Sequence, residues 1–556
     1  MKIAVSEVIV KYLERLGIEY IFGMPGAHIL PVYDSLYDSK IKSILVKHEQ
    51  GAAFMAGGYA RASGRISACI TTAGPGATNL VTGIANAYAD KQPVLIITGE
   101  TSTYIFGKGG LQESTGEGGS IDQTEMFKGI TRYSKIIERT DYLAHVLNQA
   151  AKILLSPNSG PVLLSFPYNV QKELVDASLL DSINTDTRHF AAHQRGLPAD
   201  ALAHLIMEAR HPVVIAGYGC INAGAQDAVA QLSKRMGIPV TTSLKGKGVI
   251  GDDSVLSLGC LGVTSNGDAY KYIVDHADLL IFLGASFNER TSYLWDNTII
   301  LNKKIAQIDN DPEQLEKVFK ADISIQDDIR HALELLLLKL EDSDAGMKDL
   351  TQFHLHADAL KGKPDNKEAD ELDAKFALVK KFYAKLETNF QKDTMIFDDN
   401  IIFAQNYFRV SKANNYYPNS GISSLGHAIP AAIGARLSKQ KPTFAILGDG
   451  GFQMCCMEIM TAVNYAIPLN IVVFNNASMS LIRKNQAQLY NDRFIDCDFI
   501  NPDLHYLALS FGIRHMKIVT ETDLDDLFAN NDLTSSISLI EIMIDKDAYP
   551  RYWSGR

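Results

Sequence analysis

The sequence predicts an α/β protein built from three doubly wound parallel sheets, and three observations predict it. Short apolar strands alternate with amphipathic helices along most of the chain. That is the pattern of βαβ units, whose parallel sheets are covered on both faces. The 556 residues suit about three or four domains at ~100–200 residues each. Two polar or charged stretches, 169–198 and 341–373, interrupt the alternation and divide the chain into blocks spanning 1–168, 190–335 and 370–556.

In the first block, residues 66–71 read as a strand, Gly74-Pro75-Gly76 as a turn, 77–89 as a helix and 93–98 as the next strand; 160–167 closes the pattern. The second block opens on the apolar run 211–216 and continues to about 325. In the third, 395–397, 443–447, 468–474 and 539–544 read as strands, and 452–466 as a helix. The stretch 169–198 reads as a linker; 341–373, with Pro364 inside it, reads as a linker or a solvated helix. No internal sequence repeat is visible, although the first and last blocks share their βαβ character.

Hydrophobic residues make up 46% of the chain and charged residues 21%, an ordinary globular balance. Lys and Arg number 53 against 64 Asp and Glu, a net charge of −11, so electrostatics give no support to a nucleic-acid or anionic-membrane partner. The apolar run 277–283 is strand-length, far from the ~20 residues of a membrane helix. Residues 1–7 carry neither a basic leader nor a cleavage site. Cys69, Cys220, Cys260, Cys455, Cys456 and Cys497 are scattered without metal-ligand spacing. Together these lead us to expect a cytoplasmic protein with reduced, mostly buried thiols.

The most informative segment is Gly448-Asp449-Gly450-Gly451, between a predicted strand and a predicted helix. Glycines at such a turn let the backbone approach a ligand, and the helix N-terminus favours phosphate. A tight turn alone would explain the glycines; the partner segment argues for more. After one helix and one strand comes Asn475-Asn476, and Asp449 to Asn476 is 476 − 449 = 27 positions, one strand–helix–strand unit. If the two strands are neighbours, both side chains emerge at carboxyl ends, where open parallel sheets bind ligands. A carboxylate, an amide oxygen and the Ser478 carbonyl suit a hard cation such as Mg²⁺, its shell completed by phosphate oxygens. The segment therefore points to a diphosphate.

These residues resemble the thiamine diphosphate signature of the acetohydroxyacid synthase and pyruvate decarboxylase superfamily. The resemblance implies that Asp449, Asn476 and Ser478 hold the metal, and that Gly448, Gly450, Gly451, Leu481 and Ile482 lie against the cofactor. It also implies that the three blocks are pyrimidine-binding, central and pyrophosphate-binding domains. Thiamine chemistry needs a carboxyl group to relay a proton to the aminopyrimidine, and Glu49, among small and apolar residues, fits that need. A glutamate favoured by a helix N-terminus is the plainer alternative. The run His48-Glu49-Gln50-Gly51-Ala52-Ala53, with Gly58-Tyr59-Ala60-Arg61 and Gly74-Pro75-Gly76-Ala77-Thr78-Asn79, resembles the family's pyrimidine-binding domain. The match implies that Glu49 activates the cofactor, that Pro75 and Asn79 contact it, and that Glu49 and Asp449 meet across a subunit interface. A homodimer or homotetramer is then expected.

Gly421-Ile422-Ser423-Ser424-Leu425-Gly426 resembles the loop that wedges an aliphatic side chain between the cofactor's rings, implying cofactor roles for Ser423 and Leu425; core packing is the plainer reading of a leucine. Gly26-Ala27-His28-Ile29 resembles a loop of benzaldehyde lyase, which places His28 near the reacting carbon, against the alternative of a packed loop histidine. Leu111-Gln112-Glu113 resembles the family's Phe-Gln-Glu and makes Gln112 a candidate substrate donor. The Gly/Glu-rich insertion 114–120 leaves Gln123 as a rival. Asn485 stands where acetohydroxyacid synthases carry a tryptophan, which opens and polarises the acceptor pocket. In the central block, 216–225 follows a strand and opens a helix as a nucleotide turn would, without the full Rossmann spacing; 241–248, 258–262 and 283–290 resemble the segments that hold FAD in acetohydroxyacid synthase, and 308–312 resembles that domain's closing acidic motif, so a flavin is an open alternative.

The reading is a thiamine diphosphate- and Mg²⁺-dependent carboligase that decarboxylates a 2-oxo acid, with pyruvate the expected donor, and adds the product carbanion equivalent to a second carbonyl. The alternatives are a 2-oxo acid decarboxylase, a benzaldehyde-lyase-like acyloin lyase, a flavin-dependent oxidoreductase resembling pyruvate oxidase, and a noncatalytic binding homologue.

Overall fold

A computed structural model describes residues 1–186, 198–341, 347–361, 374–390, 394–399, 401–410 and 416–549. The block limits expected at 190, 370 and 556 lie outside them, as do parts of both expected linkers. Three six-stranded sheets, all parallel, carry the chain. In the N-terminal sheet the spatial order is Lys42–Leu45, Tyr20–Gly23, Ser67–Thr71, Val94–Glu100, Val162–Pro167 and Tyr133–Ile136. In the C-terminal sheet it is Tyr416–Pro418, Met395–Asp398, Thr443–Gly448, Leu469–Asn475, Ile537–Met543 and Arg514–Ile518. Numbered along the chain within each domain, both sheets read 2-1-3-4-6-5. The similar βαβ character of the two ends is thus a shared topology without a visible sequence repeat. The central sheet instead reads 3-2-1-4-5-6, from Pro212–Ala216 as its first strand to Ile323–Gln326 as its last. That is the dinucleotide-fold order.

Local sequence explains the strands. Ser67–Thr71, Val94–Glu100 and Val162–Pro167 are buried along their whole lengths, as near-continuous apolar runs in a doubly covered sheet must be. The helix expected at 77–89 is broken into Pro75–Thr78 and Val81–Ala89. The stretch expected as a linker from 169 is in part ordered: Leu174–Asp176 pairs antiparallel with Lys2–Ala4. Within the second interruption, Thr351–Lys361 is a helix.

The two terminal domains are docked through topologically equivalent helices, Glu49–Ser63 and Ala428–Ser438, each following the second strand of its sheet. One apolar core runs across the junction, from Phe22, Ala52 and Ala56 to Ala431, Ile433 and Phe452. The central domain is tied to the first by the Lys245–Asp90 ion pair and by Lys91 Nζ on Asp311 at 2.5 Å.

Candidate active site

In a parallel sheet of this order, the crevice lies between strands 1 and 3, where the connections leave in opposite directions. The C-terminal domain places its glycine turn there. Thr443–Gly448 and Leu469–Asn475 are parallel neighbours, with Gly448 paired to Phe474, so Asp449 and Asn476 emerge side by side. The helix expected at 452–466 starts at Asp449 itself and is interrupted at Cys456. A Cβ at Gly450 would sit 2.6 Å from Met479 Sδ, so a side chain there would displace that methionine.

Asp449 is 3% exposed. Its Oδ2 accepts from Asn476 N at 3.2 Å, Ala477 N at 2.6 Å and Asn501 Nδ2 at 2.8 Å, while Oδ1 accepts only from Gly450 N at 3.0 Å. Burial pushes the carboxyl above its ordinary value, and these donors only partly offset it. Among the described residues no basic side chain pairs with Asp449. Asn476 donates Nδ2 to Ser480 Oγ at 2.7 Å, and no described hydrogen bond reaches its own Oδ1. The buried Ser478 hydroxyl also lacks a partner. No group of three or more His, Cys, Asp or Glu side chains is grouped as a metal site among the described residues. A cation would therefore be held by Asp449, the Asn476 amide, the Ser478 carbonyl and oxygens from a ligand, and its charge would relieve the desolvated carboxylate. The donor set fits Mg²⁺.

A cavity of about 270 Å³ opens beside these residues. Leu425, Leu481 and Ile482 give it apolar walls, and Gly448, Gly450 and Gly451 give it a backbone face. Leu481 and Ile482 are nonetheless 43% and 48% exposed. Ser423 stands on the same loop as Leu425, with a positive φ of 55°. Asn485 is half-buried on the helix Ser480–Leu489.

The second group of candidate residues lies on the N-terminal domain, also at the crevice between strands 1 and 3. Glu49 opens its helix, capped by His48, and accepts at Oε2 from Asn79 Nδ2 at 2.9 Å. Pro75 begins the short helix that leads to Asn79, after Gly74 at φ 64°. His28 Nδ1 and Gln112 Oε1 are 3.3 Å apart, and Thr72 Oγ1 donates to the same Gln112 oxygen at 3.3 Å. Burial holds the His28 imidazole below its ordinary value, with the Gln112 hydrogen bond opposing. Gln112 adopts φ 53°, a left-handed conformation uncommon for a side chain of its size.

Gln123, the sequence rival of Gln112, is buried elsewhere: its Nε2 meets Glu100 Oε2 at 3.0 Å and Ser165 Oγ at 2.7 Å. Glu113 explains how Gln112 is delivered despite the insertion. Its carboxylate accepts from the backbone N–H groups of Gly107, Gly109 and Gly110, folding the loop around itself.

The 270 Å³ cavity is lined entirely by residues from Asp399 onward. The structure thus gathers Asp449, Asn476, Ser478, Leu425, Leu481 and Ile482 around one cavity. His28, Glu49, Asn79 and Gln112 stand on the other terminal domain and line no part of it. Two contributors carried no local sequence signal. Asn501 reaches Asp449 from a loop 52 positions on, and Asp399, on the cavity wall, accepts from His427 N at 2.9 Å and Ala428 N at 3.1 Å.

The segments that resemble flavin-holding ones line a small cavity in the central domain. Tyr218, Lys245, Gly262, Gly284 and Arg290 enclose only about 80 Å³, whereas cofactor pockets run to roughly 300–1,000 Å³. The glycines that suggested a nucleotide turn have a packing reason: a Cβ on Gly217 or Gly219 would strike the Gly284 backbone at 2.1 and 2.6 Å.

Comparison with known proteins agrees with this geometry. The families described as thiamine pyrophosphate enzyme, N-terminal TPP binding domain, central domain and C-terminal TPP binding domain match residues 3–126, 199–336 and 400–542. The chain is 32% identical to a probable acetolactate synthase large subunit of Methanocaldococcus jannaschii, over 97% of this chain and 92% of that one. It is 31% identical to the acetolactate synthase large subunit of Lactococcus lactis, over 98% and 93%. It is 29% identical to the acetolactate synthase isozyme 2 large subunit of Escherichia coli, over 95% and 93%. Three domain matches in register with three parallel sheets, and likeness along nearly the whole chain, place this protein in the thiamine pyrophosphate enzyme family.

Proposed function

We propose that the chain is a thiamine diphosphate- and Mg²⁺-dependent carboligase that decarboxylates a 2-oxo acid, with pyruvate the expected donor, and joins the product to a second carbonyl. The observation that carries the reading is Asp449 beside Asn476 on neighbouring parallel strands, a desolvated carboxylate without a basic partner at a phosphate-ready turn. The acetolactate synthase names of its relatives support the acyl-transfer chemistry.

The cofactor, when bound, supplies the electron sink for decarboxylation and carbon–carbon bond formation. The protein's part is orientation and proton transfer. Asp449, Asn476 and the Ser478 carbonyl would hold Mg²⁺ and the diphosphate, and Leu425, Leu481 and Ile482 would give the cofactor an apolar wall that excludes water. Asn79 engages Oε2 of Glu49, which would leave Oε1 as the proton-relay oxygen toward a bound cofactor. His28, its Nδ1 beside Gln112 Oε1, has Nε2 available for a substrate proton, and the Gln112 amide can donate to a substrate oxygen.

Because the cavity has only C-terminal-domain walls, Glu49, His28 and Gln112 complete it from a second copy, making a homodimer the smallest active unit and a tetramer a pair of such dimers. The six unpaired cysteines, five of them buried, support a reducing compartment such as the cytoplasm. Among the described residues no helix is long and apolar enough to cross a membrane.

The test is incubation of the protein with thiamine diphosphate, Mg²⁺ and pyruvate, with products identified by NMR and Glu49→Gln as control. Acetolactate from the wild type alone is the expected result. Free acetaldehyde would make the protein a decarboxylase, and no turnover despite bound cofactor would refute pyruvate as donor.

A further inference from the structure

Behind Asp449 runs a buried chain of side chains that the cofactor reading does not use. Asn501 Nδ2 lies 2.8 Å from both Asp449 Oδ2 and Asn475 Oδ1. Asn475 donates Nδ2 to Glu541 Oε1 at 2.6 Å, and Glu541 Oε2 faces His515 Nε2 at 3.0 Å. The last three residues sit on three adjacent strands, Leu469–Asn475, Ile537–Met543 and Arg514–Ile518, so the chain crosses from the crevice to the sheet edge. Asn475 and Glu541 are 7% and 4% exposed. A buried carboxylate on the edge side of a cation site, wired to it by two amides, calls for a reason.

Donor and acceptor polarity supplies it. Ionised Glu541 can only accept, so Asn475 presents its NH₂ to it and its Oδ1 toward Asn501 and toward the Ala477 N–H, which donates at 3.3 Å. Asn501 must then point its own NH₂ inward, where it also donates to Asp449 Oδ2; its Oδ1 takes a hydrogen bond from Gln453 Nε2 at 2.7 Å. With Oδ2 held by three donors, Oδ1 of Asp449 is the oxygen left for a cation.

We propose that Asn501, Asn475, Glu541 and His515 form an outer hydrogen-bonded shell that orients Asp449 for a divalent cation, with Glu541 the positioning residue that fixes the amides' polarity. The inference rests on Asp449 and Asn476 being the cation's ligands. Outer-shell partners of this kind typically govern about 10–100-fold of metal affinity.

Glu541→Gln keeps the shape but offers an NH₂ to Asn475, which frees both amides to flip and turn an oxygen onto Asp449. Mg²⁺ would be titrated calorimetrically into protein saturated with thiamine diphosphate, with thermal unfolding recorded in parallel without Mg²⁺. We expect Glu541→Gln to lose about tenfold or more in Mg²⁺ affinity, Asn501→Ala to lose a similar amount, and His515→Gln, which still donates, to stay within about threefold. Should Glu541→Gln unfold, Asn501→Ala in its half-buried loop carries the same test. Wild-type Mg²⁺ affinity in Glu541→Gln and Asn501→Ala would overturn the outer shell. Saturable binding that survives Asp449→Ala would instead overturn the ligand assignment beneath it.

Discussion

The helix that presents Glu49 is held against the helix Ala428–Ser438 with almost no clearance, and Gly434→Ala tests whether that closeness is real. A Cβ at position 434 would lie 2.0 Å from the Met55 carbonyl oxygen, and one at Gly58 would lie 2.1 Å from the Ala431 oxygen. Ordinary carbon–oxygen contacts fall at about 3.3–3.6 Å. One methyl therefore drives the helices apart by more than about 1 Å, a gap that forfeits a quarter to a half of each facing dispersion contact. Helix propensity works the other way, because replacing an interior glycine by alanine gains about 1 kcal/mol. Overpacking costs typically 1–3 kcal/mol and falls at the high end here, where the obstacle is backbone on both sides. The net should be a loss of about 2 kcal/mol, or roughly 4–8 °C of melting temperature for domains of this size. Calorimetric melting at fixed protein concentration measures it. Gly129→Ala serves as control, since a Cβ there meets nothing within 4 Å. A Gly434→Ala protein that melts at or above the wild-type temperature would show that the two terminal domains are not docked as described.

The two glutamines should separate cleanly. Gln112→Ala should cut kcat/KM by about tenfold or more while leaving the melting temperature in place, because it removes a donor at the crevice. Gln123→Ala should destabilise by about 2–3 kcal/mol, because it leaves Glu100 and Ser165 with unpaired buried oxygens; the opposite pattern would reverse the assignment. Glu100 predicts a pH dependence. Burial raises its carboxyl from 4.5 to about 7, so its contribution to stability is present below about pH 4.5 and is lost as pH rises through 7. Relative to Glu100→Gln, the wild type should lose about 2–3 kcal/mol between about pH 5 and pH 8 in denaturant titrations; a difference that stays flat across that range would refute it.

What the sequence could and could not reveal follows from the range of each signal. Asp449 and Asn476 were readable because one strand–helix–strand unit fixes them as neighbours within 27 positions. Glu49 was readable as a carboxylate among small residues, and the small residues have a structural cause in the helix docking just described. Gln112 against Gln123 could not be decided, because the outcome depends on Glu113 gathering three glycine N–H groups, a fold of the loop upon itself that no periodicity encodes. The strand Leu174–Asp176 was hidden in a polar stretch, since its partner Lys2–Ala4 lies at the other end of the domain. Asn501, Glu541 and His515 were equally silent: Glu541 and His515 are ordinary residues until parallel pairing sets their strands beside Asn475, and Asn501 joins them from a loop. In the central domain Gly217 and Gly219 have a packing reason that sequence could not show, their close contact with the Gly284 backbone.

The shared 2-1-3-4-6-5 order gives each chain two crevices of the same design, one bearing Asp449 and the other Glu49. Equivalent helices dock the two domains within the chain, and the cavity beside Asp449 has walls from the C-terminal domain alone. A two-fold axis between copies can then close each crevice with its complement, and one operation completes two sites. The consequence is testable with two inactive chains. Glu49→Gln and Asp449→Asn should each abolish turnover alone. When they are co-expressed and mixed at random, about half of the dimers carry both chains, and in each of those one site combines an intact Glu49 with an intact Asp449, so about one quarter of wild-type activity returns. If both residues serve the same site within one chain, every site in the mixture keeps a defect and no activity returns. Recovery near a quarter thus requires sites built across the interface, and its absence, with hybrid dimers demonstrated by mass, would refute the assembly.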